Sequence, residues 1–365
     1  MHYQQHPEND PKYKGLTVNE GVEAMPSINP YLPKKKKRKK LSAKEYVDGI
    51  LKGDVSILSQ AVTLVESSLP DDQKIAQEVI EKCLPYAGKS IRVGITGVPG
   101  AGKSTFIEAL GMQLIQNGEK LAVLAIDPSS ERTKGSILGD KTRMEELSAA
   151  KNAFIRPSPS AGSLGGVARK TRESIILCEA AGFTTVFVET VGVGQSETAV
   201  HSMVDFFLLI QLAGAGDELQ GIKRGIMEMA DGIAINKCDG TNVEKSKLAQ
   251  RQFQNALHLF PPPESGWHPQ VVTCSSVENT GIVEVWQMVL DYIDFVKTSH
   301  YFEQKRTNQS KFWMYETINE KLKSDFYNNE RIQQLLAEAE EKVLHNEISS
   351  FVAASQLLDA YKSMI

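Results

Sequence analysis

The pattern of apolar and polar positions changes character three times along the chain. Residues 1–40 carry five prolines, few large apolar side chains and no periodicity, which reads as a disordered arm. From Ser42 to Pro85 the spacing becomes helical. Ser42 with Glu45 makes a capping box, and Ile50, Leu51, Ile57, Leu58, Ala61, Leu64 and Val65 recur at helical intervals. A second segment, Asp71 to Leu84, carries Ile75, Val79 and Ile80, so two or three short helices are expected. Near-continuous apolar runs then alternate with helical patterns. Strands are expected at 91–96, 121–126, 153–156, 184–188, 205–212, 232–235 and 270–274, and helices at 104–116, 140–150, 166–181, 218–230, 243–258 and 281–297. Strands that are apolar throughout are buried on both faces, which means an α/β fold with a mostly parallel sheet and ligand loops at the strands' carboxyl ends.

After Lys297 the chain turns helical again and loses glycine. Ile318, Leu322 and Phe326, then Ile332, Leu335, Leu336 and Val343, form apolar stripes over 300–363. A helical arm of this length is expected to serve dimerisation; the alternative is a helix pair packed on its own domain.

Composition narrows the partners. The 365 residues are 41% hydrophobic and 24% charged, with net charge −4. Seven of the cations stand together in Lys34–Lys40, so the remainder is more acidic still, which speaks against nucleic acid as the main partner. That run reads as a solvated tail or weak partner contact rather than a nuclear address or membrane patch. No stretch approaches the roughly 18 apolar residues of a membrane span. Cys83, Cys178, Cys238 and Cys274 are too widely spaced for a CxxC pair, and no secretory signal is recognisable, so a reducing, cytoplasmic setting is expected.

The chemistry concentrates in two motifs. Gly97-Val98-Pro99-Gly100-Ala101-Gly102-Lys103-Ser104-Thr105 fits the P-loop pattern and lies between an expected strand and an expected helix. Its glycines let successive N–H groups converge on phosphate oxygens, and the helix dipole adds to them. Lys103 would reach the β- and γ-phosphates and Ser104 would ligate Mg²⁺. The second motif, Asn236-Lys237-Cys238-Asp239, follows the strand at 232–235. Guanine offers two adjacent donors that the Asp239 carboxylate can accept and adenine does not, which points to GTP/GDP. Asn236 and the Lys237 stem would brace the base and loops, and Ser275 would support the base from the next loop. Further Mg²⁺ ligands are expected among Asp127, Asp140 and Glu189 at or after strand ends, because Mg²⁺ takes hard oxygen ligands. Gly192 is placed to donate its N–H to the γ-phosphate. The loop Gly214–Gly225, with four glycines and mixed charges, suggests contacts made in one nucleotide state only. The expected fold is thus a P-loop NTPase, with a disordered basic arm (1–40), an N-terminal helical extension (41–88), the nucleotide domain (89–299) and a C-terminal helical arm (300–365).

GVPGAGKST, AIDPSS, GSILGDKTRM, VFVETVGVGQSE, GAGDELQGIKRG and NKCD, in this order, resemble the methylmalonyl-CoA mutase-associated GTPases of the MeaB/ArgK type over about residues 45 to 330. The resemblance implies a GTPase that chaperones an adenosylcobalamin-dependent acyl-CoA mutase, gating cofactor delivery and protecting or reactivating the mutase. It also implies switch loops around Asp127–Asp140, Glu189–Gln195 and Gly214–Lys223. Lys223 matches a position tied to partner-stimulated hydrolysis, and the C-terminal helices match those of homodimers. Lys134 departs from the family's usual glycine, and the Lys34–Lys40 run lies outside the pattern. Gln195 stands three residues beyond Gly192 rather than next to it, so slow intrinsic hydrolysis is expected, with Lys223 or Arg224 supplying charge when a partner orders their loop. The alternatives are a metal-inserting GTPase, which tends to carry Cys/His clusters where this chain scatters seven histidines, a small-molecule kinase, and a nucleotide-regulated binding module.

Overall fold

The computed structural model describes residues 41–127, 144–159, 164–190, 196–214 and 224–364. Three helices come first: α1 (Ala43–Leu51), α2 (Val55–Glu66) and α3 (Pro70–Cys83). The expected capping box forms, with Ser42 N donating to Glu45 Oε2 at 2.7 Å and Glu45 N donating to Ser42 Oγ at 3.3 Å. Asp54 caps α2 by accepting from the Ser56 and Ile57 amides, and proline opens α3, where its missing N–H costs nothing.

Seven strands and their helices follow: β1 (Ile91–Gly97), α4 (Lys103–Gln116), β2 (Leu121–Asp127), α5 (Glu145–Ala149), β3 (Ala153–Pro159), α6 (Leu164–Ala180), β4 (Thr185–Thr190), α7 (Ser196–His201), β5 (Phe206–Leu212), α8 (Arg224–Met229), β6 (Gly232–Asn236), α9 (Val243–Leu257), β7 (Gln270–Thr273) and α10 (Ile282–Thr298). They form one sheet in the order β3-β2-β4-β1-β5-β6-β7, with every pairing parallel. All seven expected strands are present. β3 and β4 run on to Pro159 and Thr190, so Glu189 lies inside β4, in register with Ile95, rather than just past the strand. The helix expected at 140–150 is described from residue 144 on and that at 218–230 from residue 224 on, as α5 and α8.

Strand periodicity distributes the core. On β2, Ala122, Leu124 and Ile126 face a cluster shared with α1, α2, α3, α6 and α7, while Leu121 and Val123 face a second cluster with α4 and α10. A third cluster covers the β6–β7 edge with α8 and α9, through Met227, Ile233, Ile235, Phe253 and Val271. From β1 the chain goes outward to β2 and β3, returns to β4, then crosses to β5 on the other side of β1. This reversal of direction is where open α/β sheets take ligands.

The C-terminal stretch is three helices: α11 (Tyr301–Tyr327), α12 (Glu330–Leu344) and α13 (Ser350–Lys362). The first half of α11 is anchored to the body, with Gln309 Nε2 donating to Val204 O at 2.8 Å and the Trp313 indole N–H to Ser202 O at 3.1 Å. Asn329 and Ser349 accept from first-turn amides and start α12 and α13, on which Ile332, Ala353 and Leu357 are buried. Ile318, Leu322 and Phe351 are exposed, and α12 and α13 enclose an apolar groove of about 530 Å³. Among the described residues no helix is long and apolar enough to cross a membrane.

Candidate functional site: the cleft at the carboxyl end of the sheet

β1 ends at Gly97, where the backbone passes so close to β5 that a Cβ would lie 2.1 Å from Ile210 O. The loop turns back over Ala101, whose N–H donates to Val98 O. Gly102, with φ 85°, is the residue before α4, and a Cβ on it would sit 2.7 Å from Asn236 Nδ2. Glycine is required there by conformation and by space. Because Gly102 has no side chain to cap α4, the first-turn amides face the cleft, as an anion site needs. Lys103 is buried, and its Nζ donates to Gly97 O at 2.8 Å, over the loop that would cradle phosphate. Gly100 and Thr105 are exposed at the loop and the first turn of α4.

The second loop is stitched to the first. Asn236, 1% exposed at the end of β6, donates through Nδ2 to Ala101 O at 2.8 Å. Its Oδ1 accepts from Ser276 N at 3.2 Å and Ser276 Oγ at 2.9 Å, and the Cys274 thiol approaches it at 3.7 Å. Asp239 Oδ2 accepts from the buried Ser275 hydroxyl at 2.6 Å, which fixes one side of the carboxylate. Cys238 N–H donates to Cys274 O, tying the β6 and β7 loops together. Lys237 is exposed with φ 60°, a left-handed conformation unusual for a residue with a side chain.

Ser104 and Glu189 also meet: Ser104 Oγ donates to Glu189 Oε1 at 3.1 Å, with Glu189 only 3% exposed. Beneath them Thr190 Oγ1 donates to Thr96 Oγ1 at 2.9 Å. Asp127 is the last residue of β2, whose Ile126 is in register with Thr190, so it stands at the same edge of the sheet. A hydroxyl and a carboxylate at the mouth of a P-loop are the hard oxygen donors that suit Mg²⁺, which keeps several waters and takes few protein ligands. Asp140, Gly192 and Lys223, like Lys134 and Gln195, lie outside the described residues. The structure therefore brings together Gly97, Ala101, Gly102, Lys103, Ser104, Glu189, Asn236, Asp239 and Ser275.

Sequence reasoning missed Ser276 and Cys274, which hold the Asn236 amide in place. The consecutive Ser275-Ser276 after an apolar strand was the available signal. Burial pushes the Cys274 thiol up to about 12, so it stays a neutral packing group. Cys238 is half-buried, and Cys83 and Cys178 are buried.

A family model for the methylmalonyl-CoA mutase-associated GTPase MeaB matches residues 58–331. The chain belongs to this family. Among its relatives, GTPase ArgK of Escherichia coli (strain K12) is 46% identical over 313 residues, covering 86% of this chain and 95% of the relative. The methylmalonic aciduria type A homolog, mitochondrial, of Mus musculus is 44% identical over 325 residues, covering 86% and 78%. A crystal structure of an LAO/AO transport system kinase is 39% identical with a TM-score of 0.71, covering 88% of this chain and 97% of that one. Membership in the MeaB family makes the protein a GTPase with a P-loop fold, and makes guanine nucleotide its ligand class.

Proposed function

We propose that this MeaB-family GTPase is the nucleotide-timed chaperone of an adenosylcobalamin-dependent methylmalonyl-CoA mutase, gating cofactor delivery and protecting or reactivating the mutase. The observation that carries the reading is the pair of neighbouring serines that joins the two loops: Ser275 donates to Asp239, and Ser276 donates to Asn236, which in turn donates to Ala101 O of the phosphate loop. Asp239 accepts from the guanine N1–H and N2–H₂ donors. Each charge-assisted bond contributes about 1.5–3 kcal/mol, so the pair discriminates GTP from ATP by about two orders of magnitude or more.

At the other end, Gly100, Gly102 and the amides through Thr105 converge on the β-phosphate. Lys103 exchanges its carbonyl partner for the β- and γ-phosphate oxygens. Ser104, Asp127, Asp140 and Glu189 would hold Mg²⁺, directly or through its waters, and the ion would neutralise charge on the leaving phosphates. Gly192 donates to the γ-phosphate. The buried position of Glu189 in β4 holds the Ser104 hydroxyl in place beforehand. Intrinsic hydrolysis is slow, and a mutase that orders the loop bearing Lys223 adds a cation to the transition state. Such groups supply on the order of 10³–10⁵ in rate.

In the same reading, 1–40 is a basic arm, 41–88 a helical extension, 89–299 the GTPase domain and 300–365 the dimerisation arm. The exposed Ile318, Leu322 and Phe351 and the apolar groove between α12 and α13 support a homodimer through that arm. A reducing, cytoplasmic setting is supported by four free cysteines. The deciding experiment is a steady-state GTPase assay with and without methylmalonyl-CoA mutase, paired with reactivation of inactivated mutase. Stimulation of phosphate release is expected; a flat rate and no reactivation would remove the chaperone role while leaving the GTPase.

A further inference from the structure

At the amino end of β1, five residues and about 17 Å along the strand from Gly97, two carboxylates and three guanidiniums meet. Glu179 of α6 is fully engaged. Its Oε1 accepts from Arg92 Nε at 2.8 Å and Ser90 Oγ at 2.6 Å, and its Oε2 from Arg92 Nη2 at 2.8 Å and Gly88 N at 2.7 Å. Asp205, just ahead of β5, is engaged in the same way. It accepts from Arg306 Nε at 2.8 Å, Arg306 Nη2 at 2.7 Å and the Arg92 amide at 2.9 Å. Each acid thus matches one arginine, and no carboxylate oxygen is left over.

Arg172, also on α6, is the third cation. Its Nη2 donates to the Ser310 hydroxyl on α11 at 3.2 Å, and its Nη1 is buried with no hydrogen-bond partner. No carboxylate pairs with it among the described residues. Arg92, Arg172 and Arg306 all line one cavity of about 220 Å³, whose lining contains no acidic residue and which opens between Leu84, Gly88 and Ser310. Burial, and then the neighbouring Arg92 and Arg306 charges, opposed by the more distant Glu179 and Asp205 carboxylates, push Arg172 down to about 10, so it remains cationic at neutral pH. A buried donor left unmade is expensive, and a planar guanidinium is the group best suited to bind an oxyanion with two bonds.

We propose that this cavity is a binding site for a small oxyanion, the phosphate or carboxylate group of a metabolite, seated on Arg172 and drawn in by Arg92 and Arg306. Its volume exceeds that of a few waters at roughly 30 Å³ each, so the anion enters with part of the molecule that carries it. The walls come from the body of the protein (β1 and α6) and from α11, the root of the C-terminal arm. An occupant therefore cross-links the arm to the sheet, in a place the GTPase cycle does not use.

The test uses the full chain saturated with a non-hydrolysable GTP analogue and Mg²⁺, so that the β- and γ-phosphate positions of the P-loop are closed to free anion. Inorganic phosphate and, separately, succinate are titrated at constant ionic strength, with chloride as the balancing salt and Tm as the readout. A saturable rise over chloride is expected with one of them, and which one identifies the group. Arg172→Gln should weaken the apparent affinity at least tenfold. Ser310→Asp, at the exposed mouth, supplies an internal carboxylate to Arg172; it should raise Tm without added anion and abolish the response, which separates loss of the site from loss of the fold. The proposal is overturned if neither anion exceeds chloride, if both variants respond as the parent does, or if Lys103→Ala rather than Arg172→Gln removes the response.

Discussion

At the end of the cleft assigned to guanine, Asn236, Ser275 and Ser276 are buried, with Ser275 bonded to Asp239 and Asn236 bonded to Ser276 and to the phosphate loop before any nucleotide arrives. At the phosphate end, Lys103 reaches back to Gly97 O and Ser104 to Glu189, contacts that, in the proposed function, hold these side chains ready and give way to a triphosphate and its metal. The first arrangement is already formed and, in the proposed function, stays as it is when nucleotide binds. The second is, in the same reading, a resting state that ligand replaces. Preorganised groups give selectivity without reorganisation, while groups that must exchange partners make their end of the cleft responsive to what is bound. A timer needs both: one end to hold the nucleotide through the cycle and one to report its phosphate.

The largest expected effect is on the responsive end. Lys103→Ala removes a cation from the developing phosphate charge and should lower single-turnover hydrolysis by about 10²–10³. Its Tm should fall only modestly, by the loss of a buried hydrogen bond to Gly97 O, about 1–3 kcal/mol. If Lys103→Ala melts far below the parent, the resting-state description is wrong. Next comes Asp239→Asn, which keeps the shape and removes the charge that guanine requires. Calorimetry should show the preference for GTP over ATP falling about 100-fold, with hydrolysis of bound GTP nearly unchanged. A fall in hydrolysis instead would mean that the two ends are not separable. Asn236→Ala attacks the link itself, stranding Ala101 O and the Ser276 donors in a buried place. A stability loss of about 2–3 kcal/mol is expected from groups left unsatisfied, read by denaturant unfolding, together with weaker GTP binding. It sharpens the comparison, because here stability and affinity should fall together.

How much of this was legible in the sequence depends on how local the signal is. The seven strands were readable because strands buried on both faces are apolar without interruption, as in Phe206–Leu212. Lys103, Ser104 and Asp239 were readable because glycine spacing and strand-end position fix them locally. The hold on Asn236 was not, since its partners Ala101 and Ser276 lie 135 and 40 residues away. The Arg92–Glu179 pair, 87 residues apart, was hidden for the same reason. In the C-terminal stretch the apolar stripes announced helices, but the breaks at Asn329 and Ser349 went unread. Both residues are N-caps, and capping depends on backbone geometry that composition does not carry.

The smallest expected effect follows from His201, the last residue of α7, at the end of that helix away from β4 and near Lys305 and Asp231. Its ring stands edge-on to Phe207, with centroids 5.5 Å apart. Burial, helped by the nearby Lys305 and opposed by Asp231, holds its pKa below the ordinary histidine value. The folded protein therefore prefers the neutral ring. That contribution to stability is complete above about pH 6.5, the value of an unperturbed histidine, and is lost as pH falls through the lower folded value. Between pH 7.5 and 5, amide exchange corrected for intrinsic rate should accelerate in α7 while the amides of β6 and β7 stay protected. His201→Phe, which keeps the edge-on contact and cannot take a proton, should flatten the response. Equal acceleration in β6 and β7 would mean that acid loosens the whole sheet. The guanine end would then owe its rigidity to the common core rather than to its own hydrogen bonds.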